Sequence, residues 1–230
     1  MEYLPNGFTL ALCDGAFPLS TDSMCLAHFV HLPKKARVLD LGSGCGTLGL
    51  LLCSRDTGCH VTGMEIDGRT HAQALDNIRT NRIGDRMDSL CADLRCASEF
   101  LSPGSFDVCV SNPPYFTGGP ASATPLARRD DCCSIRELME AAAWALKFGG
   151  DFFLVHKPER LAELITAASA CHLEAKRLAL VRHQEGSNVT LILLQLRKGA
   201  KPGLRWEDWP LRHCDGTPTA LYRNIYHTNL

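Results

Sequence analysis

The sequence contains no long apolar run. Its longest such stretches, Leu48–Cys53 and Val189–Leu194, are short and broken by Gly49 or Thr190, well under the roughly 18 residues a membrane helix needs. Neither sign of charge is in excess: 24 Lys and Arg stand against 25 Asp and Glu, a formal net charge of −1. That balance excludes a polycation that binds nucleic acid by bulk charge. The first basic residue is Lys34, and Glu2 stands where a secretory leader carries positive charge, so no leader is expected. Aromatics are sparse at 7%, but 45% apolar and 21% charged residues suit a folded chain rather than a disordered one. At 230 residues, one α/β domain or one domain with a modest extension is expected.

Cysteine is the residue present in excess, with 12 copies. Without a leader they are expected to be reduced thiols of a cytoplasmic protein. Cys25, Cys53 and Cys109 lie in apolar settings and read as small packing side chains. Zinc sites want paired Cys or His at set spacings. Cys91 and Cys96, the vicinal Cys132 and Cys133, and the dipeptides Cys171-His172 and His213-Cys214 do not supply them. No metal site is expected.

Strands and helices alternate along the chain. Arg37–Leu41, His60–Ile66, Met87–Cys91, Phe106–Ser111 and Asp151–His156 read as strands, most of them near-continuous apolar runs that imply burial on both faces. Helices are expected over Thr47–Cys53, over Arg69–Arg82 with Ala74, Leu75, Ile78 and Arg82 on one face, and from Ser134 to a stop at Gly149-Gly150. Ser134 and Glu137 form a capping-box pattern. Pro158 suits the first turn of a helix through Cys171. Lys176–Arg182 and Val189–Arg197 close the core around the turn Glu185-Gly186-Ser187-Asn188. This order predicts a mostly parallel sheet with ligands at the carboxyl ends of its strands. Residues 1–33 form an N-terminal extension with a helix capped by Thr21 or Asp22 and running to about His31. Residues 34–198 form the main domain, and 199–230 an irregular tail packed on it through Trp206, Trp209, Tyr222 and Tyr226.

The glycine turn after the first core strand reads Val38-Leu-Asp40-Leu-Gly42-Ser-Gly44-Cys-Gly46. A strand ending in glycines lets backbone approach a ligand closely. A formal G-x-G-x-x-G runs from Gly44 to Gly49, but its first glycine lies past the strand end and Gly49 falls inside the helix, a weak dinucleotide signal. Asp40 would repel a pyrophosphate and suits a cation. S-adenosylmethionine carries a sulfonium and an ammonium and no phosphate. Glu65, ending the next strand, can hold two ribose hydroxyls, and Asp93, after the third, is placed for an adenine amine. Ile66 and Leu94, the next residues along, are grouped with them in the cofactor site.

Ser111-Asn112-Pro113-Pro114-Tyr115 follows the fourth strand. Two prolines fix φ twice and hold Asn112 and Pro113 extended. Such a segment points an amide oxygen and a carbonyl at one spot. Neither titrates, so the pair suits an acceptor with two N–H donors, a planar exocyclic amine. Asn112, Pro113, Pro114 and Tyr115 are the candidate catalytic residues; Asn112 also borders the cofactor, and Tyr115 would stack on the acceptor. Positioning then supplies much of the rate of an in-line methyl transfer.

The glycine turn and NPPY together resemble the class I S-adenosylmethionine-dependent methyltransferases that act on amines of planar systems. The leader Leu19–Ala27, the run Val155–Arg160 and the tail from Gly199 through Asp215-Gly216-Thr217 to Tyr226 are similar to the bacterial tRNA1(Val) adenine N6-methyltransferase family. The resemblance implies a Rossmann-like, seven-stranded, mostly parallel sheet with the last strand antiparallel and helices on both faces. It implies adenine N6 in tRNA, beside the anticodon, as acceptor, and places Thr21 and Asp22 near the methionine end of the cofactor. NPPY is shared with enzymes that methylate DNA adenine, guanine N2 of rRNA or protein glutamine, so those acceptors stay open, as does a non-catalytic RNA-binding module. Ala127-Arg128-Arg129-Asp130 carries arginine at 129 where that family has histidine, so family detail in this loop is not carried over.

Phe116 is a second candidate for stacking on the substrate, and Arg128 and Arg129 are candidates for phosphate contact. His156 reads as a positioned histidine rather than a catalyst. Charge is uneven along the chain: residues 1–173 hold 15 basic and 20 acidic side chains, and 174–230 hold 9 and 5. That basic end, with Lys198 and Lys201, is a candidate RNA surface.

Overall fold

In the computed structural model the first two core strands, β3 (Arg37–Leu41) and β4 (His60–Glu65), lie side by side and parallel in the main sheet. The structure describes residues 1–4, 7–16, 18–113 and 133–226. Before them come a two-stranded hairpin, β1 (Glu2–Tyr3) and β2 (Thr9–Leu10), and helix α1 (Thr21–Phe29). After β3 the chain runs through α2 (Thr47–Arg55), β4, α3 (Gly68–Thr80), β5 (Met87–Cys91), the short α4 (Ala97–Phe100) and β6 (Phe106–Ser111). It resumes with α5 (Ile135–Ala145), β7 (Leu146–His156), α6 (Leu161–Ala170), β8 (Leu173–Arg182), β9 (Val189–Lys198), β10 (Arg205–Pro210) and α7 (Ala220–Tyr226).

The main sheet has the order β10-β8-β9-β7-β6-β3-β4-β5. All neighbours pair parallel except β9, which runs antiparallel to β7 and to β8. The seventh core strand is therefore antiparallel, as expected, but the sheet has eight strands, not seven. The eighth is β10, inside the stretch read as irregular. Its sequence, Arg-Trp-Glu-Asp-Trp-Pro, mixes charge with aromatics because it is a half-exposed edge strand, and Pro210 ends it.

Alternation of side chains sorts the core into two layers. Val38, Val61, Val108, Val110, Phe153 and Val155 face α1, α2 and α3. Leu39, Leu41, Met64, Cys109, Phe152 and Leu154 face α5 and α6. Both faces are covered, which is why the strands read as unbroken apolar runs.

Three local expectations change. Helix α1 is capped by Ser20, whose hydroxyl accepts the Ser23 N–H at 3.3 Å, and ends at Phe29. Helix α5 has the Ser134–Glu137 capping box but ends at Ala145, and Gly149 and Gly150 instead sit in β7, where its register to β6 slips. A Cβ on Gly150 would lie 2.9 Å from the Asp107 carbonyl. On α3 the buried positions are Ala74, Asn77 and Ile78; Arg82 lies beyond the helix with φ 54, and Leu75 is partly exposed. Among the described residues no helix is long and apolar enough to cross a membrane, and no group of three His, Cys, Asp or Glu is arranged for a metal.

Candidate active site

From β3 the chain builds outward to β4 and β5, then returns to place β6 on the other flank of β3. A crevice opens at such a reversal, at the carboxyl ends of the strands. The glycine turn leaves β3 there and Asn112 leaves β6 there. The Ser111 hydroxyl donates to the Leu41 carbonyl at 2.8 Å, tying the two motif-bearing strand ends together. A cavity of about 1250 Å³ occupies the crevice.

Its floor is the glycine turn. Gly42 and Ser43 donate to the Met64 carbonyl at 2.9 and 3.1 Å. Gly42 and Gly44 have φ of 73° and 55°, and a Cβ on either would meet nothing within 4 Å. The residues are glycine because of that left-handed backbone, and their open side faces the cavity. Gly46 differs: it caps α2, and a Cβ on it would come 2.9 Å from the Met87 methyl. It packs helix against sheet and is not on the cavity wall, so the structure does not bring it together with the other predicted cofactor residues.

The acids take distinct roles. Glu65 accepts the Gly44 N–H and the Asp67 N–H, both at 2.8 Å. Asp40 is 1% exposed, and neither carboxylate oxygen has a hydrogen-bond partner among the described residues. Burial, then the nearby Glu65, pushes its carboxyl up to about 7; the Gly49 amide lowers it only in part, without closing a hydrogen bond of normal geometry. The Ser43 hydroxyl is likewise buried without a partner. Asp93 borders the cavity, but Arg95 holds its carboxylate through Nε at 2.9 Å and Nη2 at 2.6 Å and through its backbone N–H at 2.9 Å. The Arg95 guanidinium keeps the Asp93 carboxyl below the ordinary carboxylate range. Arg95, absent from the sequence reading, must share Asp93 with any adenine amine.

Of the two leader residues, Asp22 borders the cavity and Thr21 does not; the Thr21 hydroxyl accepts from the Tyr226 hydroxyl of α7 at 3.0 Å. Helix α1 instead contributes Ser23, whose hydroxyl accepts the Asn112 Nδ2 at 3.0 Å. Asn77 is a second residue the sequence reading missed. It exchanges hydrogen bonds with Ala11 N and O at 2.9 Å and donates to the Cys45 carbonyl at 2.9 Å, pinning the N-terminal segment to the glycine turn. No local pattern signals either contact, because the partners are 89 and 66 residues apart. His156 is buried at the cavity edge, and desolvation, then Arg160, lowers its imidazole to about 4, so it is neutral near pH 7. Cys13 and Cys45 meet at 3.8 Å between sulfurs on the wall; burial pushes Cys45 up to about 11, leaving it a packing thiol.

Ile66 and Leu94 border the same cavity, and Ile66 is 50% exposed, an apolar surface with room for a planar ring. The residue set fits S-adenosylmethionine: orphaned buried acceptors at Asp40, an open glycine backbone, and Glu65 on the same wall.

The sequence profile of the methyltransferase small domain family matches residues 19–175. The chain belongs to that family. This methyltransferase is 33% identical over 175 residues to the tRNA1(Val) (adenine(37)-N6)-methyltransferase of Bacteroides fragilis strain YCH46, covering 75% of this chain and 73% of the relative. A relative of the same name from Tolumonas auensis is 31% identical over 187 residues, 80% of this chain and 77% of its own. Among solved structures, a predicted O-methyltransferase from Agrobacterium tumefaciens superposes with a TM-score of 0.77 at 20% identity, covering 90% of this methyltransferase and 96% of that chain. Geranyl diphosphate C-methyltransferase of Streptomyces coelicolor superposes at 0.59 with 12% identity, covering 76% and 79%. These structures share the fold.

Pro114, Tyr115, Phe116, Arg128 and Arg129 lie outside the described residues. At the basic C-terminal end most cations have internal partners. Arg177 pairs with Glu207, Arg182 with Asp208, and Arg197 with Asp151 at 2.8 Å. Lys198, a candidate RNA contact, donates to the Ala143 and Leu146 carbonyls at 2.5 and 2.8 Å, so its charge closes the C-terminal turn of α5. Lys201 and Arg205 are exposed and make no side-chain hydrogen bond or ion pair among the described residues.

Proposed function

We propose that this methyltransferase moves the methyl group of S-adenosylmethionine to the exocyclic N6 amine of an adenine in tRNA, an anticodon-loop adenosine as in the enzymes its relatives are named for. The carrying observation is the position of Asn112. It leaves β6 beside the glycine turn and borders the same cavity as Asp40, Glu65 and Asp93. When bound, S-adenosylmethionine supplies an electrophilic methyl group on a sulfonium. Asp40 and Asp22 offer negative charge to its cationic end, Glu65 and Gly44 the ribose contacts, and Ile66 and Leu94 the apolar walls for its adenine. The Asn112 Oδ1 and the Pro113 carbonyl accept the two N–H groups of the incoming amine, which orients its nitrogen and enriches it in electron density. Neither group titrates, so alignment rather than proton abstraction carries the rate; the methylated amine gives its surplus proton to solvent, and S-adenosylhomocysteine is the product left behind.

Tyr115 and Phe116 are assigned to stacking on the acceptor base, and Arg128 and Arg129 to phosphate. Lys201 takes the RNA role first given to both lysines. Residues 1–33 act as an extension that completes the cofactor site of the 34–198 domain, and 199–230 as a tail that braces it. A cytoplasmic location follows from a tRNA substrate. Nucleoside mass spectrometry of tRNA from cells with and without the gene tests the reading: loss of N6-methyladenosine supports it. No change in tRNA, with an N2-methylguanosine missing from the rRNA of the same cells or a methylated glutamine missing from their proteome, replaces it with one of the other acceptors.

A further inference from the structure

We infer that Ser23 is a positioning residue for methyl transfer, holding the Asn112 side chain in the rotamer that presents it to the substrate amine. The inference rests on the amine-methyltransferase reading above. An asparagine amide has a donor end and an acceptor end of nearly equal shape. Only the acceptor end serves an incoming amine; the donor end would set N–H against N–H. The Ser23 hydroxyl accepts the Asn112 Nδ2 at 3.0 Å and so occupies the donor end. Oδ1 is then the end of the amide that can take a hydrogen from the substrate.

The hydroxyl is well placed for this: Ser23 is 5% exposed and sits with Asn112 on the cavity wall. It sits in the first turn of α1, which is held from both ends. At one end Tyr226 of α7 bonds the neighbouring Thr21. At the other, Arg55 of α2 donates to the Ala27 and Val30 carbonyls, the latter at 2.7 Å. The same turn offers Asp22 to the cofactor cavity. One turn of helix thus sets both a cofactor wall and the position of the acceptor-binding amide. Losing the hydroxyl removes its hold on the amide, while Asp22 stays in place.

The test compares wild type with Ser23→Ala, Ser23→Cys and Ser23→Thr, using full-length protein, S-adenosylmethionine and tRNA purified from cells lacking the gene. Single-turnover methyl transfer is expected to slow by roughly 10-fold in Ser23→Ala while the Kd values for S-adenosylmethionine and tRNA stay within about 2-fold. Ser23→Cys, similar in size but a weaker acceptor, falls between, and Ser23→Thr recovers most of the rate if it folds. The NMR signal of the Asn112 side-chain NH2 shifts in Ser23→Ala and needs no acceptor. An unchanged single-turnover rate in Ser23→Ala overturns the inference, as does a rate loss matched by an equal loss of cofactor affinity. Inactive wild type with a Ser23-dependent Asn112 signal overturns the tRNA reading and leaves the orienting contact standing.

Discussion

The Glu65 carboxylate accepts the Gly44 amide at 2.8 Å, so the acid ending one strand holds the glycine turn that follows its neighbour. Its other oxygen takes the Asp67 amide at 2.8 Å, which fixes the carboxylate on the cavity wall. Glu65→Ala removes both holds and the expected ribose contact. Charge-assisted hydrogen bonds of this kind support a rise in the S-adenosylmethionine Kd of roughly 10- to 100-fold, measured by calorimetry. Glu65→Gln, which keeps one acceptor, falls between.

Asp40 makes cofactor binding depend on pH. Inside the fold it keeps its proton up to about 7, against an ordinary 3.8. Between those values the folded state holds a proton the unfolded chain has lost, so stability falls as pH rises through the window. Asp40→Asn removes that slope: ligand-free Tm values from pH 5 to 7.5 flatten relative to wild type, and Tm near pH 7 rises. A cationic ligand favours the carboxylate. Wild-type affinity for S-adenosylmethionine therefore increases from pH 6 to 7.5, and the Asp40→Asn variant binds more weakly with little pH dependence.

Asn77 joins the N-terminal segment to the glycine turn. Asn77→Ala strands the Ala11 and Cys45 groups it satisfies, and a loss of about 1–3 kcal/mol in urea unfolding is expected. The S-adenosylmethionine Kd rises with it, because the segment carrying Cys13 and Asp14 forms part of the cavity wall.

Lys198 and Lys201 separate by experiment. Lys201→Glu with Arg205→Glu weakens tRNA binding severalfold at low salt and less at high salt, with cofactor affinity unchanged. Lys198→Met uncovers the Ala143 and Leu146 carbonyls and lowers Tm instead. Filter binding across a salt series and differential scanning calorimetry read the two effects.

Much of this was open to reading from local pattern. Arg37–Leu41 and Phe106–Ser111 are strands with the expected bounds because burial on both faces leaves a near-continuous apolar run; Met87–Cys91 also keeps its bounds, as an edge strand of mixed polarity. The Ser134–Glu137 box marks a helix start because its chemistry lies within four residues. Asp40, Glu65, Asp93 and Asn112 converge because a doubly wound sheet brings its strand ends together. What pattern could not carry was contact between distant residues. Ser23 is one hydroxyl in a helix turn until β6 is folded beside it, and Lys198 reads as a surface charge until α5 ends above it. β10 was hidden for another reason: an edge strand with one exposed face and mixed charge carries no apolar run.

The most direct measurement incubates unmodified tRNA and S-adenosylmethionine with wild type or Asn112→Ala and quantifies N6-methyladenosine by mass spectrometry, with cofactor binding measured on both proteins. Wild type is expected to form N6-methyladenosine, and Asn112→Ala to bind S-adenosylmethionine normally while transferring methyl at least roughly 100-fold more slowly. Wild type that binds the cofactor but methylates no adenine, or Asn112→Ala that retains full transfer, would contradict the account.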